Sequence, residues 1–412
     1  MKKTLLLATL ALSINAFAQQ WTVKTPAPTM RSGCGASVVN NIIYVIGGWN
    51  GSNIVGTVEA YNPATDTWST KTPMPTLRGE LGVASVNGKI YAIGGYNGSA
   101  LNTVEEYDPI ANTWAAKTSM PTARSIISVG VINDTIYVVG GWPGGKNTLE
   151  AYIPSTDTWV TKASIAVGKM QNNGCAVLNN KMYYIGGKNA ANTIWYNTNE
   201  AYNPITDTWT TYANLPQALW NGSATVLNNE IHYMGGTDAA YLPNYTNHFV
   251  YNSSTDSWSS NALSMLHKRS AHIAATVNGK IYVIGGSDST NAVVNWNEEY
   301  NPGICYVYIT VTDTLIINAN LTGYNPVTYA NTIKIYPNPT NDHITIDYGN
   351  YTSLAGYTLK IMNTLSQTVF TTAISASTSY VDLSTWSGNG VYFVHLIDPQ
   401  SNTVDIRKIV LQ

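Results

Sequence analysis

The chain has 412 residues, too many for one small core and enough for a large repeat domain followed by a second domain. Charged residues are 11% of it, against about 25% in an average protein, and Asn, Thr, Ser, Gly and Tyr take their place. The formal charge is −2, or −4 once Lys2 and Lys3 are left out, so there is no basic field of the kind a nucleic acid partner requires.

The first residues read as a secretory signal over 1–18. Lys2 and Lys3 form its basic end, Leu5 to Leu12 its apolar run, and Ala16-Phe17-Ala18 a small-x-small cleavage site before Gln19. The apolar run is too short to span a bilayer, and no other stretch reaches about 18 apolar residues, so no transmembrane segment is expected in the mature chain. Cys34, Cys175 and Cys305 are odd in number and irregular in spacing, which fits buried free thiols better than a disulfide framework.

From residue 19 to 302 the chain repeats. Ile43-Tyr44-Val45-Ile46-Gly47-Gly48 is a short apolar run closed by two glycines, and it returns five times. The first glycines fall at 47, 94, 140, 186, 235 and 285, in steps of 47, 46, 46, 49 and 50 residues. Each repeat predicts four short strands. In the first they are Ser32–Val39 (strand a), Ile42–Ile46 (strand b), Thr57–Tyr61 (strand c) and Thr67–Ser69 (strand d), with Asn40-Asn41 turning a into b. A tyrosine in strand c is followed seven residues later by a tryptophan in strand d: Tyr61/Trp68, Tyr107/Trp114, Tyr152/Trp159, Tyr202/Trp209 and Tyr251/Trp258. A glutamate stands two before that tyrosine in five repeats, and its recurrence marks a structural polar contact. The sixth repeat ends after Tyr300 with Val307 where a tryptophan should stand, while Trp21 precedes the first strand a with no tyrosine of its own. The expectation is that Gln20–Val23 supplies the missing outer strand and closes a ring, which leaves no sheet edge exposed.

Double glycine, spaced Tyr and Trp and a period near 50 resemble the kelch family of β-propellers over about two thirds of the chain. The expected fold is therefore all-β: a six-bladed kelch propeller at 19–302, followed by a small C-terminal β-sandwich.

Sixteen residues before the first glycine, four repeats carry arginine: Arg31, Arg78, Arg124 and Arg269. Lys169/Met170 and Leu219/Trp220 hold that register in repeats 4 and 5. Strands a and b are antiparallel neighbours, so the start of a and the end of b lie on one face of the disc. Arg31 with Trp49, Arg78 with Tyr96 and Arg124 with Trp142 are thus expected to share a rim, joined by Arg269. Repeats 4 to 6 have longer b–c loops, which bring Trp195 and Tyr241. Loops on a rigid scaffold are where binding sites are made, and aromatic faces with Arg and Asn donors suit a sugar or an extended polypeptide. The competing reading is that the arginines bond neighbouring carbonyls and the aromatics pack locally.

The resemblance implies further possibilities. Some kelch adaptors hold acidic peptides with arginines in this register. Galactose-oxidase-like kelch enzymes use a copper site with Tyr and His ligands, but His232, His248, His267 and His272 show no tight ligand spacing. A sialic acid mutarotase-like enzyme needs only rim polar residues. No catalytic motif or phosphate loop is present, and no catalytic residue, metal site or cofactor is assigned. The favoured reading is a secreted or surface-displayed binding module for an extracellular glycan or protein. The alternative is a carbohydrate-modifying enzyme.

After Pro302 the composition shifts, and 303–332 reads as a partly extended spacer. From Ile333, six or seven short alternating strands predict the sandwich. Tyr336-Pro337-Asn338-Pro339-Thr340, Gly388-Asn389-Gly390-Val391-Tyr392-Phe393-Val394 and Arg407-Lys408-Ile409-Val410-Leu411-Gln412 resemble the C-terminal sorting domain of the type IX secretion system of Bacteroidetes. The resemblance implies that 333–412 engages the type IX machinery and that the protein ends outside the cell or at its outer membrane surface. Asp134-Thr135-Ile136, Asp288-Ser289-Thr290 and Asp313-Thr314-Leu315 fit the short Asp-Ser/Thr pattern glycosylated in that group.

Overall fold

The computed structural model describes residues 19–240 and 244–303. Within 334–411 it describes all but 337–342, 349–350, 364–366, 384–385, 387–389 and 401–402. The expected signal peptide, nearly all of the expected spacer, Cys305, the Asp313 motif and Tyr241 lie outside the described residues. The chain divides into two compact units, Met1–Ile309 and Thr310–Gln412.

Among the described residues the first unit holds six four-stranded antiparallel sheets. In blade 1 the strands are Gly35–Val39, Ile42–Ile46, Val58–Asn62 and Thr67–Lys71, in the spatial order a-b-c-d. The a–b turn works because Asn40 and Asn41 both take positive φ (52° and 61°), the backbone of a tight two-residue hairpin. Strand a of each blade touches strand a of the next, and blade 6 returns to blade 1, so the contacts close into a ring.

Closure runs through the N-terminal strand. Gln20–Val23 pairs antiparallel with Asn297–Asn301, with Trp21 opposite Tyr300. The Trp21 indole N–H donates to Leu263 O at 2.8 Å, and its ring lies 5.1 Å from that of Tyr300. Blade 1 makes the same arrangement from Trp68, whose N–H donates to Thr25 O at 2.9 Å.

The recurring residues tie each blade to the one before. Tyr61 donates to Asp66 at 2.7 Å, and Asp66 also accepts from the Thr25 N–H at 2.9 Å. Asn112, Asp157, Asp207 and Asp256 repeat this clamp in blades 2 to 5. The glycine pairs have an equally physical cause. A Cβ on Gly47 would stand 2.4 Å from Arg78 O in the next blade, and Gly47 has φ of +66°. Only a residue without a side chain lets the neighbouring blade's backbone come so close. The N–H of Gly48 then donates to Arg78 O at 3.0 Å, a bond repeated around the ring.

In the second unit, Lys334–Tyr336, His343–Asp347 and Thr378–Asp382 form a three-stranded sheet. Thr368–Ala373, Thr358–Asn363, Gly390–Ile397 and Thr403–Leu411 form a four-stranded one. Ile344, Ile346 and Val381 of the first sheet share one core with Leu359, Ile361, Val394 and Leu396 of the second. That is a small sandwich, with alternating residues turned inward. Among the described residues no helix is long and apolar enough to cross a membrane.

Candidate functional site

The arginines expected on the rim do not reach it. Arg31, Arg78, Arg124 and Arg269 are at most 1% exposed. Each turns inward and meets the glutamate of its own strand c: Arg31–Glu59 at 2.5 Å, Arg78–Glu105 at 3.0 Å, Arg124–Glu150 at 2.6 Å and Arg269–Glu298 at 2.7 Å. Arg31 also donates to Val45 O at 3.1 Å and Thr57 O at 3.0 Å. Burial without a carboxylate partner would be costly for a guanidinium, so the recurring Glu holds the recurring Arg inside the blade. These four residues are corrected from ligand contacts to blade cores. The register itself is settled by the bonds to the glycine pairs: Lys169 O and Leu219 O accept from Gly141 and Gly187, as Arg78 O accepts from Gly48. Lys169 pairs with Glu200 at 2.9 Å.

The backbone beside each arginine does lie on the expected face. Ser32 and Trp49 exchange two N–H···O bonds of 2.9 Å, and Gly79/Tyr96, Ser125/Trp142, Met170/Lys188, Trp220/Thr237 and Ser270/Ser287 do the same. These pairs extend the a–b ladders around a central cup of about 550 Å³. Trp49, Tyr96 and Trp220 give it aromatic walls, and Glu80, Asn172, Asn221, Thr237 and Asn244 give it polar ones.

The bottom of the cup is made by the residue two after the arginine register. Gly33, Glu80, Ile126, Asn221 and Ala271 all have φ between +51° and +58°. Their backbones join blade to blade: Glu80 N–H to Gly33 O at 2.6 Å, Gly33 N–H to Ala271 O at 2.9 Å, Ala271 N–H to Asn221 O at 2.7 Å, and Ile126 N–H to Glu80 O at 2.8 Å. Blade 4 breaks the series. Lys169 stands seventeen residues before Gly186 rather than sixteen, and the extra residue brings Asn173 onto the axis. Its side-chain amide donates across to Cys34 O at 3.2 Å and His272 O at 3.3 Å, in blades 1 and 6. Those carbonyls lie one residue further along strand a than the ring of positive-φ residues, so Asn173 floors the cup.

Glu80 accepts from Ser125 Oγ at 3.2 Å, and burial holds its carboxyl above the usual carboxylate range, opposed by that bond and by Lys188. Lys188 is itself buried, with its ammonium 3.2 Å from the centroid of the Trp220 ring. Desolvation lowers its pKa to about 8. Asn172 is 3% exposed with neither side-chain atom bonded, and Asn221 Oδ1 and Thr237 Oγ1 are likewise buried without a partner.

Of the expected aromatics, Trp49 and Tyr96 line the cup. Trp142 packs edge-on against Tyr96 with centroids 6.0 Å apart and remains 38% exposed. Trp195 lies elsewhere, in an open groove with Ile194, Gln217 and Asp238. Glu80, Asn172, Asn221, Thr237 and Asn244 were not foreseen. Nothing in the repeat flags them, because the positions that line the cup hold a different residue in each blade.

The histidines line a different place. His232 and His248 are buried and share a 2.8 Å N···N contact beneath Trp21 and Tyr300, while His267 bonds Glu298. Among the described residues no three His, Cys, Asp or Glu side chains cluster so as to hold a metal ion.

This fold and these repeats define a kelch β-propeller joined to a secretion sorting domain. Residues 6–141 match the family described as KLHDC2/KLHL20/DRC7 Kelch-repeats domain, and 123–164, 171–216 and 268–303 match the Kelch motif. Residues 334–412 match the Secretion system C-terminal sorting domain. The chain is thus a kelch-repeat protein with a type IX sorting tail. A solved structure described as "Structure of YjhT" aligns with a TM-score of 0.58 and 18% identity, covering 66% of this chain and 95% of that one. At that identity it shares the fold. A 44-residue stretch is 50% identical to spermatocyte protein spe-26 of Caenorhabditis elegans, over 11% of this chain and 8% of that protein.

Proposed function

We propose that the protein is an extracellular glycan-binding module, carried out of the cell by its type IX tail, with the axial cup as its binding site. The tail points to secretion and to an extracellular or surface location. The observation that carries the ligand class is the composition of the cup: Trp49, Tyr96 and Trp220 beside Asn172, Asn221, Thr237 and Asn244. Aromatic faces stack on the apolar C–H faces of a sugar ring, while amides and hydroxyls meet its hydroxyls. Ligand sites are concave, with a few convergent polar groups on largely apolar walls. A protein ligand is the competing occupant, and attachment at the outer membrane is a separate proposal that the tail supports. The test is a glycan array probed with the mature protein and with its Trp49→Ala variant. Glycan signals that fall in the variant support the reading, and an array without signal for the wild type refutes it.

A further inference from the structure

We infer that the axial cup takes the uncharged terminal sugar of a glycan end-on and rejects acidic saccharides. This rests on the glycan reading above and narrows it. Three observations carry it.

The first is the distribution of charge. Among the described lining residues, Glu80 is the only one with a charged side chain. The cations that the sequence places nearby are all used elsewhere. Arg31, Arg78, Arg124 and Arg269 are bonded to glutamates inside the blades. Lys188 is 4% exposed and its ammonium faces the Trp220 ring. A carboxylate ligand would therefore meet the Glu80 carboxylate, while the one cation in electrostatic reach, Lys188, already balances Glu80 and turns its ammonium to the Trp220 ring, and like charges in a partly desolvated cup repel.

The second is the hydrogen-bond inventory. Asn172 Oδ1 and Asn221 Oδ1 are buried, unpartnered acceptors, and Asn172 Nδ2 is an unpartnered donor. Thr237 Oγ1 can do either. Acceptors of this kind call for a ligand that donates. A sugar hydroxyl donates and accepts, whereas an ionised carboxylate only accepts.

The third is the floor. Asn173 spans the axis beneath the cup through its bonds to Cys34 O and His272 O. A polymer cannot thread through, so a chain end must enter from the rim, where Trp49 and Trp142 stand 42% and 38% exposed.

Calorimetric titration of the mature protein with paired oligosaccharides, differing only in a neutral or an acidic terminal residue, tests the inference. The neutral member of each pair should bind at least tenfold more tightly. Glu80→Gln should shift the ratio of acidic to neutral affinity at least fivefold toward the acidic member, and an unchanged ratio overturns the role of its charge. Equal or tighter binding of the acidic members by the wild type overturns the charge selectivity and leaves the glycan reading standing. Binding of neither member overturns both.

Discussion

Leu219 and Phe249 occupy, in blade 5, the two positions where blades 1, 2, 3 and 6 hold a buried arginine and its glutamate. Leu219 O accepts from Gly187, as each arginine carbonyl does from its glycine, and Phe249 stands opposite Tyr233 as Glu59 stands opposite Val45. Leu219 is buried in an apolar cluster against which the partly buried Phe249 packs. The fold thus has two answers to the same space, and both partners change together.

That relationship predicts strong coupling. Removing one partner of a buried ion pair costs roughly 3–5 kcal/mol, whereas a well-packed apolar pair can replace both with little loss. Arg124→Leu or Glu150→Phe alone should lower stability markedly in urea denaturation. The double variant should recover most of the loss. Additive losses would show that the two positions act independently.

The closing strand makes the second prediction. Trp21 is 7% exposed, bonded to Leu263 O and packed on Tyr300 and His248. Trp21→Ala should cost roughly 3–5 kcal/mol, as large-to-small changes in a core do. Deletion of residues 19–24 should lower the unfolding temperature further. An unchanged melting curve for the deletion would mean that the ring does not depend on this strand.

The buried histidines, of which His232 and His248 lie under the same strand, bring a pH dependence. Burial lowers the pKa of His232 to about 3, of His248 to about 4 and of His272 to about 3. Unfolded, each would titrate near 6.5. Above that pH all three are neutral in both states and the stability is intact. As the pH falls below about 6.5 the unfolded chain takes up protons that the folded one refuses, so stability declines until the folded values are passed, by up to about 1.4 kcal/mol per pH unit for each histidine. Unfolding temperature should drop between pH 7 and 4.5, and His248→Gln should flatten that slope. A flat wild-type profile would contradict the burial of the pair.

For the rim, Trp49→Ala should weaken glycan binding at least tenfold with little change in melting temperature. A stacked tryptophan at a binding site carries about 2 kcal/mol or more, and its backbone pairing with Ser32 does not need the ring. Trp142→Ala should act more weakly, through loss of its edge contact with Tyr96. If Trp49→Ala instead unfolds several degrees early, the ring is a packing residue.

Export makes the last prediction. Truncation after Tyr329 removes the segment that matches the sorting domain. In a host with the type IX system the truncated protein should accumulate in the periplasm, as fractionation and blotting would show. Its normal appearance in the medium would mean that the tail is not the export signal.

The sequence by itself determined the period, the four-strand unit, the inter-blade tyrosines and tryptophans and the sorting tail. Each of these is set by a demand that recurs in every blade, or by a contiguous motif. Gly47 must admit Arg78 O, and every other blade meets the same demand, so the residues repeat and the repetition is legible. It also placed Trp49 and Tyr96 on the face where strand a begins, because antiparallel pairing fixes where strand b ends. The tertiary structure decided which way the arginines point, since an arginine at the head of strand a can turn to solvent or to a glutamate twenty-eight residues on, as Arg31 does to Glu59. It also decided the cup. Glu80, Asn172 and Asn221 come from blades 2, 4 and 5 and hold no common identity, and a single extra residue in blade 4 carries Asn173 across the axis. Only closure of the ring brings such residues together, because their neighbourhood is defined by the six-fold geometry and not by their spacing along the chain.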